Sequence, residues 1–153
     1  MSLLPRAKLP TPMLKDLLKR QEGFSRFPYN DVNDTSIGFG RNLSQIGLSE
    51  EEADFLLDND IERVKKELSR FDFFEDLNST RQIALISMGY NLGISRLSRF
   101  TKMINFLESK QWAKAAQEVY PNSLYAEQVP NRAFEISELI CWGDDAKSTF
   151  KSE

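Results

Sequence analysis

Apolar positions recur at helical spacing along most of this chain and alternate in only one short stretch. Thr11-Pro12 reads as an N-cap followed by proline at the first helical position. Met13, Leu14, Leu17, Leu18 and Gln21 then share one helical face, and Gly23 stops the helix, which leaves Glu22 at its very end. From Phe24 to Leu43 the character changes. Phe27, Tyr29, Ile37 and Phe39 are strand formers, and Asn30-Asp31-Val32-Asn33-Asp34 supplies turn chemistry between them. Gly38 and Gly40 suit a bent strand more than direct ligand contacts. This stretch predicts a small antiparallel sheet and the only β structure of the chain.

From Ser49 onward the pattern is helical. Ser49-Glu50-Glu51-Glu52 is a capping box, and its acidic run reads as a cap and solvated face. It opens a helix to about Arg70 with an apolar stripe of Ala53, Leu56, Leu57, Ile61, Val64 and Leu68, long enough to bridge two lobes. Asn78-Ser79-Thr80 starts another helix that Gly93 ends, and shorter helices are expected at 98–109, 111–119 and 130–142. Trp112 and Trp142 are expected in the core, and Cys141 as a buried, inert thiol. The fold class is α+β, mostly α, in one domain. A β-containing lobe of about 24–60 is joined by the long helix to a helical lobe of about 11–23 and 70–143. Residues 1–10 read as a basic arm and 144–153 as a loose tail.

Composition narrows the chemistry. The 153 residues contain no histidine, which removes Ser-His-Asp and Cys-His triads and His-ligated zinc. One cysteine excludes an internal disulfide and thiolate metal clusters. A net charge of −3, from 20 basic and 23 acidic residues, argues against a nucleic-acid binder. No apolar run approaches the roughly 18 residues of a membrane span. Lys8, Pro10, Lys15 and Asp16 interrupt any secretory apolar segment. The chemistry therefore falls to carboxylates, hydroxyls, amides and arginine.

Glycoside hydrolysis needs one carboxylic acid to protonate the leaving oxygen and a second carboxylate across the bond. A glutamate at a helix C-terminus faces the negative end of the helix dipole, which disfavours its ionised form. Glu22 fits that role, and Asp31, nine residues on in the hairpin turn, is better solvated. Spacing and setting alone do not separate this pair from the other acidic residues on the surface.

The ordered motifs add more. Glu22-Gly23, then Tyr29 and Asp31, then Ser36-Ile37-Gly38-Phe39-Gly40 resembles the active-site region of phage-type lysozymes, glycoside hydrolase family 24. The likeness continues through Arg81–Ile86, Gly89-Tyr90-Asn91-Leu92-Gly93, Phe100, Trp112–Ala116, Pro130-Asn131-Arg132-Ala133 and Trp142-Gly143, in family order, over roughly 13–143. The T-even phage type is the nearest in pattern. The resemblance implies a lysozyme-like fold, with Glu22 as general acid, Asp31 as base or electrostatic partner, and Ser36 in place of a threonine that holds the attacking water. It implies an ion pair from Arg132 that orients Glu22, and substrate contacts at Asn42, Tyr90, Asn91, Met103 and Glu118. Tyr90 and Asn91 could equally close a helix end. Two departures stand out. Asp31 and Ser36 are five residues apart, one fewer than in the family, so Thr35 could supply the hydroxyl instead. The family's histidine is Arg41, so any ion pair it makes must be rebuilt.

The function the resemblance implies is a peptidoglycan hydrolase that cleaves the β-1,4 bond between N-acetylmuramic acid and N-acetylglucosamine with inversion. It would need no cofactor or metal, bind glycan strands of the bacterial wall, and act as a monomer without nucleic-acid or membrane partners. Made in the host bacterial cytoplasm without a signal peptide, it would reach the wall in the periplasm, as an endolysin or a virion-associated enzyme. The alternatives are a lytic transglycosylase, which needs no carboxylate base, and a non-catalytic wall-binding protein. A pI near 5.2 does not oppose an anionic wall, since local patches steer association. Arg6, Lys8, Lys15, Lys19 and Arg20 form one basic region, and Arg96, Arg99 and Lys102 another.

Overall fold

The computed structural model describes residues 11–148. Among them are eight α-helices and one three-stranded antiparallel sheet, in the order α1 (Thr11–Glu22), β1 (Ser25–Asp31), β2 (Asp34–Gly38), β3 (Arg41–Asn42), α2 (Glu50–Leu68), α3 (Ser79–Leu92), α4 (Ile94–Leu97), α5 (Thr101–Glu108), α6 (Trp112–Val119), α7 (Leu124–Gln128) and α8 (Pro130–Trp142). A 3-10 helix, Gly143–Ser148, follows. None of these helices is long and apolar enough to cross a membrane. The chain divides into two compact units, the first ending at Asp54 and the second beginning at Phe55.

The first unit holds α1 and the sheet. α1 lies in the first unit with the sheet, and its C-terminal end meets the turn between β2 and β3. The rings of Phe24 and Phe39 lie 5.4 Å apart, and Lys19 Nζ is 5.3 Å from the Phe39 centroid. β1 and β2 pair through Tyr29↔Ser36, Asn30↔Thr35 and Asp31↔Asp34, and β2 pairs with β3 through Ser36↔Asn42. The unit closes on a capping box: Ser49 Oγ accepts from Glu52 N at 3.1 Å, and Glu52 Oε2 accepts from Ser49 N at 2.8 Å. Arg41 meets the same carboxylate bidentately at 2.7 Å and also donates to the Gly47 carbonyl. The Ser49 amide and the Arg41 guanidinium hold the Glu52 carboxyl below its ordinary range. Its contribution to stability is therefore present above the ordinary carboxylate range and is lost as the pH falls through the lowered value.

The second unit carries the core. Among the described residues, every buried apolar side chain lies here, including Val64, Leu68, Leu85, Met88, Leu97, Met103, Leu107, Ile136 and Ile140. The stripe expected along α2 is buried only at its far end, at Val64 and Leu68, while Leu56 and Leu57 are exposed. α3 starts and stops as its sequence predicts: Asn78 Oδ1 accepts from Arg81 N at 2.9 Å, and Gly93 N donates back to Gly89 O. The short helices α4 and α7 had no periodicity to announce them, at 4 and 5 residues. Trp112 is half-buried, with the Arg81 guanidinium 4.0 Å above its ring. Trp142 is not in the core. It lies exposed at the last position of α8, where Gly143 turns the chain. Cys141 is half-buried rather than buried, and desolvation pushes its thiol up. The expected loose tail instead begins as the 3-10 helix, tied by Thr80 Oγ1 donating to Asp144 Oδ1 at 2.7 Å. The arm 1–10 and residues 149–153 lie outside the described residues.

At the tip of the β1–β2 hairpin Val32 has φ +30° and is almost wholly exposed. A β-branched residue is strained there and packs against nothing in return. Val32→Gly is expected to raise the chain's stability by about 1 kcal/mol, less a few tenths for glycine's greater freedom when unfolded. Urea denaturation checks this; an unchanged or lowered midpoint would show that the tip stores no strain.

Candidate active site

Glu22, Asp31 and Ser36 all lie in the first unit. Glu22 ends α1 because Gly23, with φ +71°, can leave the helix in the left-handed region. Its carboxylate comes against the backbone at Gly40, itself at φ +79°: a Cβ built there would lie 2.9 Å from Glu22 Oε2 and 3.3 Å from its Cδ. The glycine expected as a strand bend thus serves a second purpose, since it lets a carboxylate approach the chain.

Strand register sorts the rest. Residues directly opposite across an antiparallel pair project to the same face, and neighbours along a strand to opposite faces. The pairs Tyr29↔Ser36, Asp31↔Asp34 and Ser36↔Asn42 therefore put Tyr29, Asp31, Asp34, Ser36 and Asn42 on one face. Asn30 and Thr35 lie on the other, where the Thr35 hydroxyl donates to Asn30 Oδ1 at 3.0 Å. Of the two hydroxyls that the sequence left open, Ser36 is the one on the face of Asp31. It is also the buried one, at 8% exposure.

Asn42 is on that face too, but its amide is engaged: Nδ2 donates to Asp34 Oδ2 at 2.9 Å, and Gln45 Nε2 donates to the same oxygen at 2.8 Å. Asp34 was read as turn chemistry only. It in fact organises the sheet face beside Asp31, and its same-face position could have been found from the hairpin register alone. Phe39 was read as a strand former, and nothing in its spacing announced that it would meet α1. Arg41 lies on the far face, where its ion pair is rebuilt on Glu52.

The remaining candidates lie in the second unit. Tyr90 and Asn91 are exposed near the end of α3 rather than folded under it. Met103 is fully buried, so it can offer a sugar only the floor of a pocket. That open pocket, of about 360 Å³, brings Met103 together with Glu118, and Arg99, Lys102 and Asn122 also line it. Arg132 projects from the first turn of α8. Burial pushes the Tyr125 hydroxyl up, and the Arg132 charge pulls it partly back.

A mostly helical chain with one small antiparallel sheet, a glutamate at a helix end and an aspartate and serine on one sheet face has the build of a lysozyme-type glycoside hydrolase. The phage lysozyme family model matches residues 19–128, and the chain belongs to that family. Similar proteins include two from Dictyostelium discoideum. Probable T4-type lysozyme 2 is 28% identical, over 83% of this chain and 92% of its own length. Probable T4-type lysozyme 1 is 25% identical over the same shares. The pre-baseplate central spike protein Gp5 of Enterobacteria phage T4 is 22% identical over 94% of this chain, which spans 30% of that protein. The protein is a lysozyme-type glycoside hydrolase, and its substrate class is peptidoglycan.

Register gives a sharp expectation for the two hydroxyls. For a Ser36 that holds the attacking water, Ser36→Ala should lower the rate of wall hydrolysis by at least tenfold, an effect of about 1.5 kcal/mol. Thr35→Val should leave it within about twofold. Rates of reducing-end release from purified wall check the pair, and the opposite ranking would reassign the hydroxyl to Thr35.

Proposed function

We propose that this enzyme cleaves the β-1,4 bond between N-acetylmuramic acid and N-acetylglucosamine with inversion. Glu22 is the general acid that protonates the leaving glycosidic oxygen. Asp31 takes the proton of the attacking water or stabilises the positive charge at the anomeric carbon, and Ser36 holds that water. The observation that carries the reading is the placement of Asp31 and Ser36 on one sheet face, with Glu22 held at Gly40 in the same unit. An inverting pair needs room for a water, about 6.5–9.5 Å between the carboxyl groups.

In this reading Asn42, Tyr90, Asn91 and Glu118 each contact the glycan, and Met103 lies beneath it. No metal or cofactor enters the scheme. The biological role would be lysis of the bacterial cell. The enzyme would be made as a monomer in the host cytoplasm and would act on the wall in the periplasm.

Turbidity loss of purified Gram-negative peptidoglycan, with new reducing ends counted, tests the scheme. Wild type should clear the wall, and Glu22→Gln and Asp31→Asn should each lower the rate by about a hundredfold or more. The sugar first released should be the α anomer. A 1,6-anhydro product with activity surviving Asp31→Asn would make the protein a lytic transglycosylase. Wall binding without turnover in folded wild type would make it a binding protein.

A further inference from the structure

The side-chain hydrogen bonds of Asp34 fall on one oxygen. Oδ2 accepts from Asn42 Nδ2 at 2.9 Å and from Gln45 Nε2 at 2.8 Å. The other end of the Asn42 amide is fixed as well, since its Oδ1 accepts from the Gln45 backbone N–H at 3.0 Å. An amide with a carboxylate at its nitrogen and an N–H at its oxygen can take only one of its two flipped orientations. That orientation leaves one Nδ2 hydrogen of Asn42 without a partner among the described residues. Asn42 is half-buried and stands directly opposite Ser36, on the face that also carries Asp31. The backbone of the turn that follows does not depend on Asp34. Leu43 N donates to Thr35 O at 2.7 Å, Ile46 N to Asn42 O at 3.0 Å and Gly47 N to Leu43 O at 3.1 Å. Thr35 N donates to Ser44 Oγ at 2.9 Å. What the Asp34 carboxylate adds is the direction of two side-chain amides, through bonds that its charge strengthens.

We propose that Asp34 is a positioning residue: its carboxylate fixes the Asn42 amide so that the remaining N–H donates to an acceptor oxygen of the glycan. The inference rests on the reading of Asn42 as a glycan contact. A donor set in place beforehand does not have to be ordered by the substrate, so the effect falls on affinity. The contact is made equally in the bound substrate and the transition state, so KM carries it and kcat does not.

Steady-state hydrolysis of soluble wall glycan strands by Asp34 and Asn42 variants tests it. Asn42→Ala, which removes the donor, should raise KM about fivefold with kcat within about twofold. Asp34→Ala should raise KM by a similar factor, and Asp34→Asn, which keeps an oxygen acceptor, should recover most of the loss. Asp34→Ala combined with Asn42→Ala should be no worse than Asn42→Ala alone, because Asp34 acts through Asn42. Asp34→Ser, whose hydroxyl stops short of Asn42, is read in the same way where Asp34→Ala does not fold. A raised KM in Asn42→Ala beside an unchanged KM in folded Asp34→Ala would overturn the proposal and keep the glycan contact. Effects that multiply in the double variant would overturn it too. An unchanged KM in every variant would remove the glycan contact of Asn42 and the proposal with it. For a wild type that binds the wall without turnover, dissociation constants for the same strands replace KM. The same ranking there would uphold the role of Asp34 and overturn hydrolysis.

Discussion

The carboxylate of Glu22 lies against the backbone at Gly40, where an added Cβ would come within 2.9 Å of Oε2, and this contact joins the end of α1 to the turn between β2 and β3. For the two to meet, α1 must end where it does, the chain must reverse at Gly23, and the sheet must bring its second strand back beneath the helix end. Phe24 and Phe39 secure the approach from either side of the turn. The same strand that carries Gly38 also carries Ser36 in register with Tyr29. The Glu22 carboxylate thus lies against the turn that follows the strand bearing Ser36.

The two units are stabilised by different physics. The second has a buried apolar core, against which its helices pack their apolar faces. The first has no buried large apolar residue among the described ones. It is held by strand hydrogen bonds, one aromatic pair, a cation over a ring, and the Arg41–Glu52–Ser49 cluster. Polar and ring contacts of this kind contribute little individually but fix direction. Direction is what a pair of reacting carboxylates requires.

Much of this was legible in the sequence. The helix ends at Gly23 and Gly93, the capping box at Ser49 and the hairpin between Phe24 and Leu43 are all local signals, and they hold in the structure. Glu22 and Asp31 could be named from their settings and from the ordered family motifs. What was hidden depended on pairing over distance. Only the register shows that Ser36 shares the face of Asp31 and that Thr35 does not. Only the fold shows that Asp34 holds Asn42, that Arg41 finds Glu52, and that Phe39 meets Lys19. The apolar stripe of α2 misled for a related reason: spacing defines a face, but burial needs a partner for it, and Leu56 and Leu57 have none in their unit. Trp142 likewise carries an apolar ring at a helix end that packs against no core.

The most direct test of this account is the substitution Gly40→Ala, read by wall hydrolysis and by unfolding. The added methyl would collide with the Glu22 carboxylate and displace it, so activity should fall by about a hundredfold. The second unit's core does not involve position 40, so a folded protein should remain. A folded Gly40→Ala enzyme with wild-type activity would contradict the claim that this contact sets the acid in place.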